Sequence, residues 1–236
     1  MKKNIVLLFL LTQIFAIAGI GVYGNYDPIS RTPQSSTKDE VAIIPGSTTD
    51  YGNLGLGLFV YVDVLPIIDL EVAAEIAGTY YPVTIDLPLV GSETYEGFPW
   101  VRFSAYGTIR KKIIGVSIPF LAKVQLHGGA GANYHSITPD ITVQFMQDAL
   151  TTPDNTTFTA DQVVNRDFSD TEEICAIFEY MREHMRTVMG GHIQLGIQGK
   201  LLMINMFING RYTLAKNVIP DQAGFASVWV GLSYGF

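Results

Sequence analysis

The segment Asn53-Leu54-Gly55-Leu56-Gly57-Leu58-Phe59-Val60-Tyr61-Val62-Asp63-Val64 decides the fold. Every second residue is aliphatic (Leu54, Leu56, Leu58, Val60, Val62, Val64), and the set between them is Asn53, Gly55, Gly57, Phe59, Tyr61 and Asp63. Side chains alternate across a β-strand, so this stretch is a strand with two unlike faces. The same period returns in Leu70 to Tyr80, Val101 to Ile109, Val116 to Leu126, Ile193 to Ile197, Leu202 to Ile208 and Ala226 to Phe236. Seven strands are legible in this way. In a soluble sandwich or lipocalin-like barrel the second face would carry Lys, Glu and Thr. Here it is mostly Gly, Ser, Gln, Asn and Tyr, which suits the narrow lumen of a barrel whose apolar face meets lipid.

The connections alternate in length. Leu65-Pro66-Ile67, Lys111-Lys112 and Gly199-Lys200-Leu201 read as tight turns, whereas 81–97, 127–190 and 213–224 are long. Short turns on one side and long loops on the other mark a transmembrane barrel. Such a bacterial barrel needs an even strand number, so an outward strand must precede residue 53. Gly19 to Tyr26 alternates as required, leaving 27–50 as a polar external loop. The expected fold is therefore all-β, an antiparallel up-and-down transmembrane barrel of eight strands, or ten if part of 130–165 adds a hairpin.

Residues 1–18 carry Lys2 and Lys3, an apolar run from Ile5 to Leu11, and Ala16-Ile17-Ala18, a small-x-small cleavage pattern. They read as a secretory signal peptide, with 19–236 as the barrel domain. The apolar run, interrupted by Thr12 and Gln13, falls short of the ~20 residues of a spanning helix. Composition agrees with export to a membrane. Of 236 residues 48% are hydrophobic but 16% charged, against roughly 25% charged in soluble domains. A net charge of −7 offers no basic surface for nucleic acid. Cys175 is the only cysteine, which excludes an intrachain disulfide and a cysteine-based zinc site.

The 127–190 insertion lacks strand alternation. Ser169-Asp170-Thr171-Glu172-Glu173 forms overlapping capping boxes, and a helix over about 170–188 follows. Ile174, Ile177, Phe178, Met181, Met185 and Val188 make its apolar stripe. A shorter helix is expected over 139–150, with Pro139 in its first turn. The pair is either a lid on the barrel rim or a binding surface for an external ligand or protein.

The inward set contains Asp63, Asp69, Glu71 and Glu75 with Arg102, Lys123 and Arg211. A turn at Lys111-Lys112 would set Arg102 near Leu121 and diagonal to Lys123, with Glu75 across from Arg102. The expected lumen cluster is thus Glu71, Glu75, Arg102 and Lys123, a closed network rather than a conduit, because an eight-stranded interior is filled by its own side chains. His127, His135, His184 and His192 have no metal-ligand spacing, so no metal or other cofactor is expected. Pairing His127 or His192 with Ser117 or Ser136 as a lipid-modifying site finds no support in the spacing, and no catalytic residue is assigned. Gly128-Gly129-Ala130-Gly131 reads as a flexible strand end rather than a nucleotide loop. Asn155-Thr156-Thr157 is a glycosylation sequon without meaning in a bacterial host.

The chain ends on Trp229-Val230-Gly231-Leu232-Ser233-Tyr234-Gly235-Phe236, with Tyr234 and Phe236 on the apolar face. This resembles the closing strand of bacterial outer-membrane barrels. Together with the leader, the alternation and the loop asymmetry, it makes residues 19–236 similar to small outer-membrane proteins of the OmpA, OmpX or OmpW kind. The resemblance is architectural and carries no residue-level motif. It implies a location in the bacterial outer membrane, contact with its lipid, and an assembly machinery that reads the terminal aromatics. It also implies a non-enzymatic structural or surface-interaction role. A narrow small-solute channel is the alternative, and a lipid-modifying enzyme a weaker one.

Overall fold

The alternating segments fold into one antiparallel wall. The computed structural model describes residues 17–29, 33–38, 41–47, 52–63, 68–87, 91–118, 122–149, 171–220 and 222–235. In chain order its elements are β1 (Ile17–Asp27), β2 (Ser36–Lys38), β3 (Val41–Pro45), β4 (Asn53–Asp63), β5 (Asp69–Leu87), β6 (Gly91–Ile118) and β7 (Ala122–Ile137). They are followed by helices α1 (Val143–Ala149) and α2 (Thr171–Glu183), then β8 (Arg186–Leu201), β9 (Ile204–Leu214) and β10 (Gly224–Gly235). Eight strands close a ring. β1 pairs with β4, each later strand with the next from β4 to β10, and β10 returns to β1 through Ile20↔Tyr234 and Tyr26↔Val228. The expected first strand is therefore present and slightly longer than 19–26. The ten-strand alternative is not realised, because residues 130–137 only prolong β7 and β2–β3 stands outside the ring.

The two faces lie where the alternation puts them. Leu54, Leu56, Leu58 and Val60 are exposed outward, while Phe59 and Tyr61 are buried inside. Tyr26, Tyr80, Tyr134 and Tyr212 are exposed on the outer wall toward the end opposite the short turns, and Tyr234 toward the turn end. Aromatic girdles of this kind bracket the apolar band of membrane barrels, where ring and hydroxyl sit at the lipid–water boundary. No described helix is long and apolar enough to cross a membrane.

Several connections differ from expectation, each for a local reason. Lys111-Lys112 is no turn. β6 runs through it with a bulge between Lys112 and Ile114, which shifts the outward phase from odd residues (Phe103, Ile109) to even ones (Ile114, Val116, Ile118). A bulge adds one residue to one strand and so reverses its faces, a change that in sequence looks like a strand break. The turn instead falls between Ile118 and Ala122, where the apolar phase of Val116 to Leu126 continues unbroken. The expected Gly199-Lys200-Leu201 turn lies at Leu202-Met203, with Leu202 at φ 56°.

At the opposite end the expected loops carry structure. The 81–97 loop is an arm in which β5 and β6 stay paired as far as Leu87↔Gly91. The 27–50 loop contains the β2–β3 hairpin, and β3 pairs with that arm through Ala42↔Asp86 to Pro45↔Val83. The 127–190 insertion shrinks to 138–185, because β7 and β8 remain paired as far as Ile137↔Arg186. α1 starts at Val143 rather than Pro139. Thr142 caps it, its Oγ1 accepting from the Phe145 amide at 3.1 Å, as an N-cap hydroxyl does. α2 ends at Glu183, so Met185 falls outside it and Val188 belongs to β8. Its expected capping residues Ser169 and Asp170 lie outside the described residues.

These pieces build a cap with its own dry core. Val41, Ile43, Tyr81, Val83, Ile85 and Trp100 pack with Ile137, Ile141, Phe145, Met146, Ile177, Met181, Val218, Ile219 and Phe225. The Val143 amide donates to Ser36 Oγ at 3.0 Å and ties α1 to β2. Phe145 meets Tyr180 edge to face at 5.1 Å, joining α1 to α2. The two helices thus pack with the β2–β3 hairpin and the β5–β6 arm over one rim of the barrel.

Candidate functional site

Inside the wall the lumen has two sides. Tyr23 (β1), Phe59 and Tyr61 (β4), Phe207 (β9) and Trp229 (β10) are buried and pack ring against ring, tilted with centroids 4.9 Å apart for Tyr23–Trp229 and edge to face at 5.1 Å for Phe59–Phe207 and 5.5 Å for Tyr61–Phe207. Opposed glycines make room for them. A Cβ at Gly57 would collide with the Tyr23 ring, and one at Gly19 with the Tyr61 ring.

The other side is ionic. Among the described residues three buried carboxylates, Asp27, Glu71 and Glu75, face three buried guanidinium groups, Arg102, Arg110 and Arg211, so the fixed charges cancel. Arg102 Nη2 donates to Glu75 Oε1 at 2.7 Å and lies 2.9 Å from Asp27 Oδ2. Arg211 Nη1 reaches Glu75 Oε2 at 3.5 Å. The hydroxyls of Tyr23 and Tyr106 also donate to Glu75, at 3.0 and 3.1 Å. Deeper toward the turn end, Arg110 pairs with Glu71 at 3.0 Å, and Gln194 donates to the same carboxylate at 3.2 Å. Aromatic faces hold the cations as well. The Arg211 guanidinium carbon sits 3.7 Å from the Tyr106 centroid, and that of Arg102 4.5 Å from Phe225. Buried charges persist when both partners and further hydrogen bonds surround them.

Of the four residues expected to cluster, Glu75 and Arg102 are in direct contact and Glu71 forms a second pair with Arg110. Lys123 is elsewhere. The misplaced turn had brought it beside Arg102. In the structure Arg102 is level with Ile137, whereas Lys123 pairs with Ser117 and Lys200. Fourteen residues of β7 separate the two levels, about 46 Å of strand at ~3.3 Å per residue, and Lys123 lies half-buried at the turn-end rim. Asp27 and Arg110 were missed, although each continues the inward parity of its strand. The side chain of Asp63 lies outside the described residues. Tyr234 is exposed on the outer wall and donates to Met203 Sδ at 3.0 Å. Phe236 lies outside the described residues.

The histidines divide. His127 bonds Asn209 at 2.9 Å, His192 bonds Thr108 at 2.9 Å, and His135 Nδ1 shares a hydrogen bond with Ser104 Oγ at 2.9 Å. His184 is exposed on the cap, stacked on Tyr180. Neither Ser117 nor Ser136 meets a histidine. Ser136 donates to Met185 Sδ, and Ser117 sits at the turn end opposite Lys123. The Ser104–His135 pair was not foreseen. It is buried under the cap, and Ser104 Oγ is already occupied by the Arg102 Nε donor at 2.9 Å. No group of three metal-ligating side chains occurs among the described residues.

Two broad concavities, of about 760 and 930 Å³, lie on the outer wall around Gly24, Leu56, Ile76 and Val230. Their exposed lining side chains belong to the apolar outer band of the wall. A smaller notch of about 220 Å³ opens on the cap between Tyr95–Pro99 and α2.

No family model matches the sequence and no curated protein is similar to it. Solved structures are. The outer membrane protein OprG from Pseudomonas aeruginosa aligns over 94% of this chain and 95% of its own, at TM-score 0.50 and 11% identity. Neisserial surface protein A aligns over 94% and 97%, at TM-score 0.45 and 8% identity. Identity at this level speaks for the fold alone, and OprG carries that likeness. The chain has the eight-stranded fold of the small outer-membrane β-barrels, closed inside by a charge-neutral network and covered on one rim by a helical cap.

Proposed function

We propose that this protein is a closed, non-enzymatic barrel of the bacterial outer membrane with a structural or surface-interaction role. In this reading the leader expected over residues 1–18, which overlaps the first two residues of β1 (Ile17 and Ala18), is removed on export, and the assembly machinery inserts the chain through its terminal aromatics, Tyr234 and Phe236. The 138–185 insertion, with the β5–β6 arm and the β2–β3 hairpin, presents the surface that an external ligand or protein meets. The observation that carries it is the filled lumen: balanced buried ion pairs against a cluster of five aromatic rings, under an apolar cap.

Planar-bilayer recording of the refolded chain tests the reading. It expects no steady conductance. A large, steady conductance would overturn it and favour the alternative, a narrow channel. That alternative draws on the polar side of the lumen, where His127 Nδ1, His192 Nδ1 and Asn209 Nδ2 are buried with no partner among the described residues, the kind of lining that water satisfies. The cap would then be its gate.

A further inference from the structure

The ladder between β5 and β6 is regular except at one place on the arm. Tyr81 pairs with Phe98 and Val83 with Tyr95, so Pro82 alone on β5 faces both Glu96 and Gly97 on β6. This is a β-bulge, two residues opposite one, a device that re-aims side chains and concentrates near functional sites. Gly97 sits at φ 89°, a conformation that side-chain-bearing residues rarely adopt. The kink lies at the mouth of the 220 Å³ notch, which is lined by Tyr95, Glu96, Phe98 and Pro99 on one side and Ile177, Phe178 and Met181 of α2 on the other.

The chemistry of this lining is selective. Three aromatic side chains line it, Tyr95 and Phe98 partly buried against the cap core and Phe178 exposed, and among the described residues Glu96 is the one charged residue in the wall. Among the described residues Glu96 makes no ion pair. Phe178 is 48% exposed although it flanks Ile177 on a helix whose inner face is buried, so its ring is held at the notch rather than in the cap core. Aromatic faces with a carboxylate at their edge attract a cation whose outer shell is apolar. An ammonium bearing N–H groups would leave donors unpaired against the rings, whereas a methylated one would not. At about 220 Å³ the notch lies below the ~300–1,000 Å³ of sites for drug-sized ligands, a size for a single small head group.

We propose that the bulge at Glu96-Gly97 and the face of α2 bearing Phe178 form a binding site for a quaternary methylammonium group, of the size and charge of choline. The site rests on the reading of the cap as a surface-interaction platform and names its ligand chemistry. Phe178, Tyr95 and Phe98 surround the methyl groups, and Glu96 neutralises the charge.

Isothermal titration of the full refolded chain in a maltoside detergent, with choline chloride and tetramethylammonium as probes, tests the proposal. Both should bind saturably, and the neutral carbon isostere 3,3-dimethylbutanol at least tenfold more weakly. Phe178→Ala and Glu96→Gln should each weaken choline at least tenfold while keeping the heat-dependent gel mobility of a folded barrel. Vesicles bearing phosphocholine rather than phosphoglycerol headgroups distinguish the source. Binding to them as well as to free choline assigns a lipid headgroup, and binding to free choline alone a solute. No saturable binding, equal binding of the isostere, or insensitivity to both variants overturns the site. Because the bilayer recording does not involve this notch, a closed barrel without choline binding would refute the site and leave the surface-interaction reading standing.

Discussion

Glu75 is the residue on which the lumen turns. It faces inward from β5 and accepts from Arg102, Arg211, Tyr23 and Tyr106 at 2.7, 3.5, 3.0 and 3.1 Å. Changing it to Gln keeps the shape and removes the charge. Arg102 would still have Asp27 at 2.9 Å. Arg211 would lose the one ion pair it makes among the described residues and keep the Tyr106 and Trp229 rings, at 3.7 and 5.9 Å. Removing one partner of a buried pair typically costs about 3–5 kcal/mol, because the remaining charge is enclosed and uncompensated. At about 1.4 kcal/mol per tenfold, that is two to three and a half orders of magnitude in the unfolding equilibrium. Urea titration of the barrel refolded into phospholipid vesicles would measure it. The double variant Glu75→Gln, Arg211→Gln should be less destabilised than the two losses added, with a coupling of roughly 1–3 kcal/mol, and Lys123→Gln should be close to neutral. A loss below about 1 kcal/mol for Glu75→Gln, or an equal loss for Lys123→Gln, would refute the closed-network account.

The other predictions concern the wall and its assembly. Val60 faces outward in the middle of β4, opposite Ile20 and Val72, so Val60→Arg should cost about 2–4 kcal/mol in a bilayer. Tyr61→Arg instead adds charge among the buried rings of Phe59 and Phe207 and should fail to refold in detergent and bilayer alike; unchanged bilayer stability for Val60→Arg would mean the faces are reversed. Deleting Phe236 should lower outer-membrane levels in cells while leaving refolding into detergent intact, and normal levels in cells would count against a terminal assembly signal.

The faces of the strands were legible because period two survives whatever the strand packs against. Val60 and Tyr61 are assigned by parity alone. Register was not legible, because it depends on where turns and bulges fall. At Lys111 to Ile114 the phase changes within one strand, whereas between Ile118 and Ala122 one strand gives way to the next with the phase unchanged. One error of this kind moved Lys123 into the cluster and left Arg110 out. Had Arg102, Ser104, Tyr106, Thr108 and Arg110 been read as one inward row, Arg110 would have joined Glu71. The cap core escaped the strand reading for another reason. Val41, Ile43, Val83 and Ile85 alternate over too few residues to stand out, and they gain their burial only by packing on helices distant in sequence.

Cap and lumen meet at Phe225. Its ring belongs to the dry core of the cap, yet the guanidinium of Arg102 lies 4.5 Å from it. Trp100 and Ile137 make the same join from β6 and β7, Trp100 two residues before Arg102 on β6 and Ile137 directly opposite it. The uppermost ion pairs therefore lie beneath apolar side chains of the cap. A balanced set of charges tolerates such enclosure where a surplus of either sign would not. The three arginines and the three carboxylates thus meet the cap without a surplus charge, through the contact of Arg102 with Phe225.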